Sequence, residues 1–151
     1  MAVTFLNNTP QGGHLFGTMQ TLSSAMDAGN LRFRIAAENL SNAESTATTP
    51  GGLPYQRKIA SFNNIIDKAT GADVVGLKSI SHDPSAFREE FQPSHPAAND
   101  EGMVLYPNVN RMVEVVDAQD ANLSLRTAAQ LYRMNTEMLR RTNALIDTTK
   151  S

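Results

Sequence analysis

Small or apolar residues recur with helical spacing at both ends of the chain and nowhere between. From Leu15 they fall at Leu15, Met19, Leu22, Met26, Gly29, Phe33, Ala36, Leu40 and Ala43, in steps that alternate four and three without a break. That is the 3.5-residue repeat of a coiled-coil seam. The seam covers about 29 residues, or roughly 43 Å at 1.5 Å per residue. Gly29 weakens such a helix by about 1 kcal/mol relative to Ala, or lets another backbone approach. Ala28, Leu31 and Ile35 form a narrower strip off the seam, so this helix has two faces to bury.

The segment from about Val109 to Ile146 is patterned in the same way over a greater length. One strip is Ala118, Ala121, Leu125, Ala128, Tyr132, Asn135, Leu139, Thr142 and Ile146. Beside it run Leu131, Met134, Met138 and Leu145, with Val116 and Leu123 farther round. Together they cover about half the circumference, more than the narrow seam of a two-stranded coil needs. Gln119, Arg126, Arg133 and Arg140 occupy the opposite face at intervals of seven. They form a solvated face, or one that pairs with acidic residues of a neighbouring chain.

Most of the prolines and glycines lie between residues 47 and 107. Short extended signals appear there at Tyr55–Phe62, Val74–Ser81, Phe87–Phe91 and Met103–Tyr106, separated by Gly, Pro, Asn and Asp. The expected fold is mainly α with a small β insertion, its long N- and C-terminal helices packed as an antiparallel coiled coil. The expected order is a flexible tail over 1–13, a helix over 14–46, a β-rich or irregular insertion over 47–107 and a second helix over 108–151.

Composition narrows the chemistry. Lys+Arg number 13 against Asp+Glu 15, with no basic cluster, which disfavours nucleic acid and anionic membrane surfaces as partners. Cysteine is absent, so disulfides and thiolate metal sites are excluded. No stretch approaches the roughly 18 apolar residues of a membrane span. The first residues show neither a charged n-region nor an apolar h-region, and no cleavable secretory signal is expected. His14, His82 and His95 each stand alone, without the i, i+4 partner of a metal site. Glu89-Glu90 and Asp100-Glu101 read as solvated carboxylates. Neither a phosphate-binding loop nor a nucleophile elbow is present. No catalytic residue, cofactor, metal or small-molecule substrate is expected.

The junction after the first helix carries a more specific signal. Ala37-Glu38-Asn39-Leu40-Ser41-Asn42-Ala43 resembles the A-x-N-L-[AS]-N-A signature of the bacterial flagellar axial protein family, which comprises rod and hook subunits and their relatives. Two further stretches resemble its proximal-rod branch. Pro50-Gly51-Gly52-Leu53-Pro54-Tyr55 is similar to a P-x-G-x-P-Y segment. His95 to Asn110, which includes Pro107, Asn108 and Val109, is similar to N-P-x-A-[DN]-x-x-G-x-V-x-x-P-N-V-[DN]. The order and spacing hold from about residue 20 to 146. His95 stands where that family usually has Asn, and Leu123, Leu125 and Ala128 stand where it usually has an Arg-x-Tyr-x-x-Asn run.

The resemblance implies a non-enzymatic subunit of the basal-body proximal rod, exported unfolded by the flagellar type III apparatus into the periplasm. There it would polymerise into the tube that transmits motor torque. Its partners would be other copies of itself, other rod proteins and the membrane-ring or export-gate junction at the rod base. Leu15, Met19, Leu22, Met26, Phe33 and Leu40 would pack against Leu125, Tyr132, Leu139 and Ile146 of the same or a neighbouring chain. Leu123, Leu131, Met134, Met138 and Leu145 would join that packing. Asn39 and Asn42 would satisfy helix-end and turn backbone groups. Another axial component of the flagellum, or a soluble coiled-coil adaptor or chaperone, would share the helical pattern. The adaptor gives no reason for the ordered motifs in the middle.

Overall fold

A computed structural model describes residues 10–148, with side chains described from Leu15 to Leu145. The elements run α1 (Pro10–Ser41), β1 (Lys58–Ile66), β2 (Asp73–His82), β3 (Arg88–Phe91), β4 (Met103–Tyr106) and α2 (Arg111–Thr148). Two long terminal helices thus flank a small β region of two two-stranded sheets, β1 with β2 and β3 with β4.

Helix α1 begins at Pro10, inside the stretch read from sequence as a tail. A proline is well placed at the first helical position, where its missing N–H would have had no intrahelical partner. Residues 1–9 lie outside the described residues. The helix closes at Ser41 rather than at residue 46. Asn42 donates both its backbone N–H (3.1 Å) and its side-chain Nδ2 (2.9 Å) to the carbonyl of Glu38, and the chain turns through Ala43. Helix α2 starts after Asn110, whose Oδ1 accepts from the N–H of Met112 (3.0 Å) as a side-chain N-cap.

The chain divides into two compact units, each with pieces of both helices. The first comprises the chain up to Asn30, Phe62–Leu77 and the chain from Asn122. Here the start of α1 meets the later part of α2: Asn135, buried, donates Nδ2 to the carbonyl of Leu15 (3.0 Å). The buried α2 positions are Ala128, Asn135 and Leu139. The tip of the β1–β2 hairpin seats on α1 through small and polar side chains. Thr21 Oγ1 donates to the carbonyl of Asp73 (2.6 Å), and Ser24 Oγ accepts from the N–H of Val75 (3.0 Å). Gly17 leaves room for this approach, since a Cβ there would sit 3.5 Å from that of Ala72.

The second unit comprises Leu31–Ser61 and Lys78–Ala121. Its core contains Ile35 and Ala36 of α1, Ala43 in the turn after it, Ala97, Val104 of β4 and Ala121 of α2. Strands β3 and β4 pair antiparallel, with Arg88 opposite Tyr106 and Phe91 opposite Met103. The Arg88 guanidinium lies 4.9 Å from the centre of the Tyr106 ring, a cation–π contact across the pair. The loop joining them is organised by Asn99, whose Oδ1 accepts from the N–H groups of Glu101 (3.0 Å) and Met103 (2.8 Å). His95, which precedes Pro96, accepts at Nδ1 from the N–H of Ala97 (3.1 Å).

Gly102 ends that loop at φ +77°, where a Cβ would lie 2.9 Å from the Phe91 ring. Phe91 is 69% exposed and its ring can swing away, so the left-handed backbone decides the cost of substitution. Gly102→Ala is expected to destabilise the chain by about 1–2 kcal/mol. A thermal melt should show the midpoint falling by about 2–8 °C.

Candidate functional site

The three motif stretches meet in the second unit, around the side chain of Asn39. This residue is 1% exposed, and a buried amide must find a partner for each donor and acceptor. Its Nδ2 donates to the carbonyl of Lys58 (2.9 Å) and to Glu114 Oε2 (3.0 Å). Its Oδ1 accepts from the N–H of Lys58 (2.9 Å) and from the Tyr55 hydroxyl (2.8 Å). Asn39 therefore holds the first residue of β1 as a neighbouring strand would, while tying it to Tyr55 and the first turn of α2. Asn39 thus reaches outside its helix, whereas Asn42 makes the local helix-end contact.

Glu114, also 1% exposed, would be costly to bury alone. Its second oxygen accepts from Arg57 Nε at 2.6 Å. The same guanidinium reaches Asp83 (3.4 Å) and Asp117 (3.3 Å). Burial by itself lowers the pKa of Arg57, but the hydrogen bond and charge of Glu114, helped by Asp83 and Asp117, raise it overall. The N–H and hydroxyl of Ser85, then Arg57, hold the Asp83 carboxyl below its usual range. Lys58 pairs with Glu38 at the rim.

Asn108 of the Pro-Asn-Val stretch completes the arrangement. Its Oδ1 accepts from the N–H of Arg57 (2.9 Å), and its Nδ2 donates to the carbonyls of Asp83 (3.0 Å) and Ser85 (3.1 Å). The buried rings of Pro54 and Pro107 brace the segments on either side. Among the described residues, no buried side-chain nitrogen or oxygen lacks a partner. The network is a closed polar clamp. Beside it an open notch of about 180 Å³ is walled partly by Arg32, Ile35 and Ile59, below the roughly 300 Å³ of small-molecule sites.

Burial, followed by the charges of Glu38 and Glu114, pushes the Tyr55 hydroxyl up to about 12 from 10.0. The folded state therefore keeps this proton when the unfolded chain has begun to lose it. Its stabilising contribution is complete below pH 10 and is lost as pH rises through 12. The chain is expected to lose stability across that window, and Tyr55→Phe to lose less. Unfolding free energies measured against pH for both chains check this.

The other residues singled out by pattern are distributed as follows. Leu15, Met19, Leu22, Met26 and Leu40 of α1 are half-buried, and Phe33 is 43% exposed. On α2, Leu125 and Tyr132 are half-buried and Leu139 is buried, while Leu123, Leu131, Met134, Met138 and Leu145 are exposed. The Ile146 side chain lies outside the described residues, as does that of His14. Ser41 is exposed, Ala43 buried, and Val109 half-buried. Arg140 pairs with Glu137 (3.0 Å) on the exposed face of α2, and Arg141 shares that partner (2.9 Å), which draws the Glu137 pKa down to about 2.

Sequence reasoning missed Arg57, Lys58, Asp83 and Glu114. One signal was available: Glu114 lies seven residues before Ala121 and fourteen before Ala128, so the buried strip of α2 extrapolates back onto a carboxylate. A charge in a core register asks for a cation, and Arg57 supplies it.

Among the described residues no helix is long and apolar enough to cross a membrane, and no group of three or more His, Asp or Glu could hold a metal ion.

No protein-family model matches the chain. It is 37% identical over 126 residues to the flagellar basal-body rod protein FlgC of Agrobacterium fabrum, covering 83% of this chain and 86% of that protein. The FlgC proteins of Salmonella typhimurium and Yersinia enterocolitica are 34% and 32% identical, over 83% and 87% of this chain and 87% and 92% of theirs. Identity at this level across most of both chains, together with three ordered motif stretches converging on one clamp, means that the chain belongs to the FlgC family of flagellar basal-body rod proteins.

Proposed function

We propose that this chain is a non-catalytic subunit of the proximal part of the flagellar rod, where its copies join through helix faces into a tube that carries torque. Its partners are further copies, other rod proteins and the ring or export-gate junction at the rod base. It reaches the periplasm through the flagellar type III route. In the assembled tube the two terminal helices complete coiled-coil packing that one copy alone leaves half made. The clamp around Asn39 fixes the β segment to both helices, so that force entering one is passed to the others.

The observation that carries this reading, beside family membership, is the exposed stripe on the later part of α2. Met134 and Met138 are each 57% exposed, and Leu145 is 68% exposed. Contiguous apolar surface of this kind marks an interaction site, and methionines suit packing against non-identical neighbours. Replacing both Met134 and Met138 by glutamate changes exposed positions, so the isolated chain should lose no more than about 0.5 kcal/mol per site. In a strain lacking the wild-type chain, the same variant is expected to abolish swimming and to leave no rods in purified basal bodies. Wild-type swimming in that strain would overturn the reading.

A further inference from the structure

We propose that Met134 and Met138 form an oxidation site, where hydrogen peroxide converts both thioethers to sulfoxides on the unassembled chain and so bars that copy from the rod. This inference rests on the rod-subunit reading above and adds a chemical control to the surface it uses. Cysteine is absent, so all the sulfur of the chain is in its seven methionines. Susceptibility to oxidation follows access, and access differs among them. Met112, Met134 and Met138 are 72%, 57% and 57% exposed, whereas Met19, Met26 and Met103 are half-buried. Met112 belongs to the second unit. Met134 and Met138 belong to the first, four residues apart on α2, a spacing that makes side chains neighbours on one helix face. Leu131 and Leu145, both exposed, lie seven residues to either side of Met138 and complete that face.

Each oxidation is a two-electron step. A sulfur lone pair attacks one oxygen of hydrogen peroxide, and the O–O bond breaks as the S–O bond forms. The departing hydroxide takes the proton left on the new oxygen and becomes water. The product is a polar, chiral side chain in place of a flexible apolar one. On the isolated chain its oxygen stays hydrated, and the fold keeps its core. When the stripe is covered by a neighbour, that oxygen must give up its water. The contact is then weakened about tenfold or more at each oxidised site.

Peroxide treatment of the purified chain tests the site. Trypsin cuts after Arg111, Arg126, Arg133 and Arg140, which places Met112 in peptide 112–126 and the pair together in peptide 134–140. In the folded chain both peptides should gain oxygen faster, about fivefold or more, than the sites at Met19, Met26 and Met103. In urea the rates should converge. Equal rates in the folded chain would overturn the site.

The consequence is tested in cells that lack methionine sulfoxide reductases. They are pulsed with peroxide, freed of it with catalase and kept from making new protein. The chain is then followed in purified basal bodies and in the unassembled pool. Reduced copies should leave that pool for growing rods, so the fraction oxidised at Met134 and Met138 should double in what remains when the pool has halved. The fraction oxidised at Met112 should stay level. A level fraction at the pair, or an equal rise at Met112, overturns the inference. A chain absent from basal bodies would sink the rod-subunit reading itself. A chain present there, whose oxidised copies enter as freely as reduced ones, sinks only the oxidation control.

Discussion

Asn39→Asp is expected to cost the second unit much of its stability at neutral pH, although it changes a single NH₂ to an oxygen. Both donations from Nδ2 disappear, leaving the Lys58 carbonyl and Glu114 Oε2 without that partner. Each such loss costs about 1–3 kcal/mol. A carboxylate is also placed where Nδ2 lies 3.0 Å from Glu114, in a site 1% exposed. The total is on the order of 4 kcal/mol or more, against a typical domain stability of about 5–15 kcal/mol. The melting midpoint should fall by roughly 8–16 °C.

Burial and Glu114 both raise the folded-state pKa of the new aspartate above its unfolded value near 3.9. The deficit is therefore smallest in acid and grows as pH rises through that folded pKa. Asn42→Asp is the internal control from the same motif. Its side chain donates a single bond, to the Glu38 carbonyl, and is only half-buried, so about 1 kcal/mol is expected. Equal losses at the two positions would refute the clamp as the reason for Asn39.

The second large effect is expected at the Arg57–Glu114 pair. Arg57→Leu strands a buried carboxylate, for which about 3–5 kcal/mol is the usual penalty. Glu114→Leu should cost less, on the order of 2 kcal/mol. Arg57 is 20% exposed and keeps Asp83 and Asp117 within 3.4 Å. Because leucine at both positions removes the charge together with its partner, the double variant should be no worse than Arg57→Leu alone. A double-mutant cycle from urea titrations is expected to give a coupling of about 2 kcal/mol or more. Additive losses would mean that the two side chains stabilise the fold independently.

The helices and strands were legible where one period ran unbroken. The alternating three and four steps from Leu15 to Ala43 mark α1, and Met103–Tyr106 was read with the bounds that β4 has. The signature around Asn39 was legible as a family resemblance, but its physical role was not. Its partners lie 19 and 75 residues away, and no local pattern links an asparagine to a carboxylate at that distance. Local habit pointed to the helix end, a role that only Asn42 has.

The apolar breadth of α2 was readable, and it was more than one partner helix could cover. Its buried positions Ala121, Ala128, Asn135 and Leu139 all lie on the strip read first from the sequence. The larger Leu131, Met134 and Met138 face outward. Hydrophobic size alone would have chosen the opposite face.

The span of the clamp also has a consequence in time. Asn39 is synthesised 75 residues before Glu114, and Leu15 comes 120 residues before the Asn135 that bonds its carbonyl. At about 5–20 residues per second, Asn39 waits roughly 4–15 s for its partner, and Leu15 longer still. Through that interval Asn39 can bond only Tyr55 and Lys58, and the Leu15 carbonyl lacks the Asn135 amide. Both contacts can therefore close only after the long stretch of chain between their partners has been made.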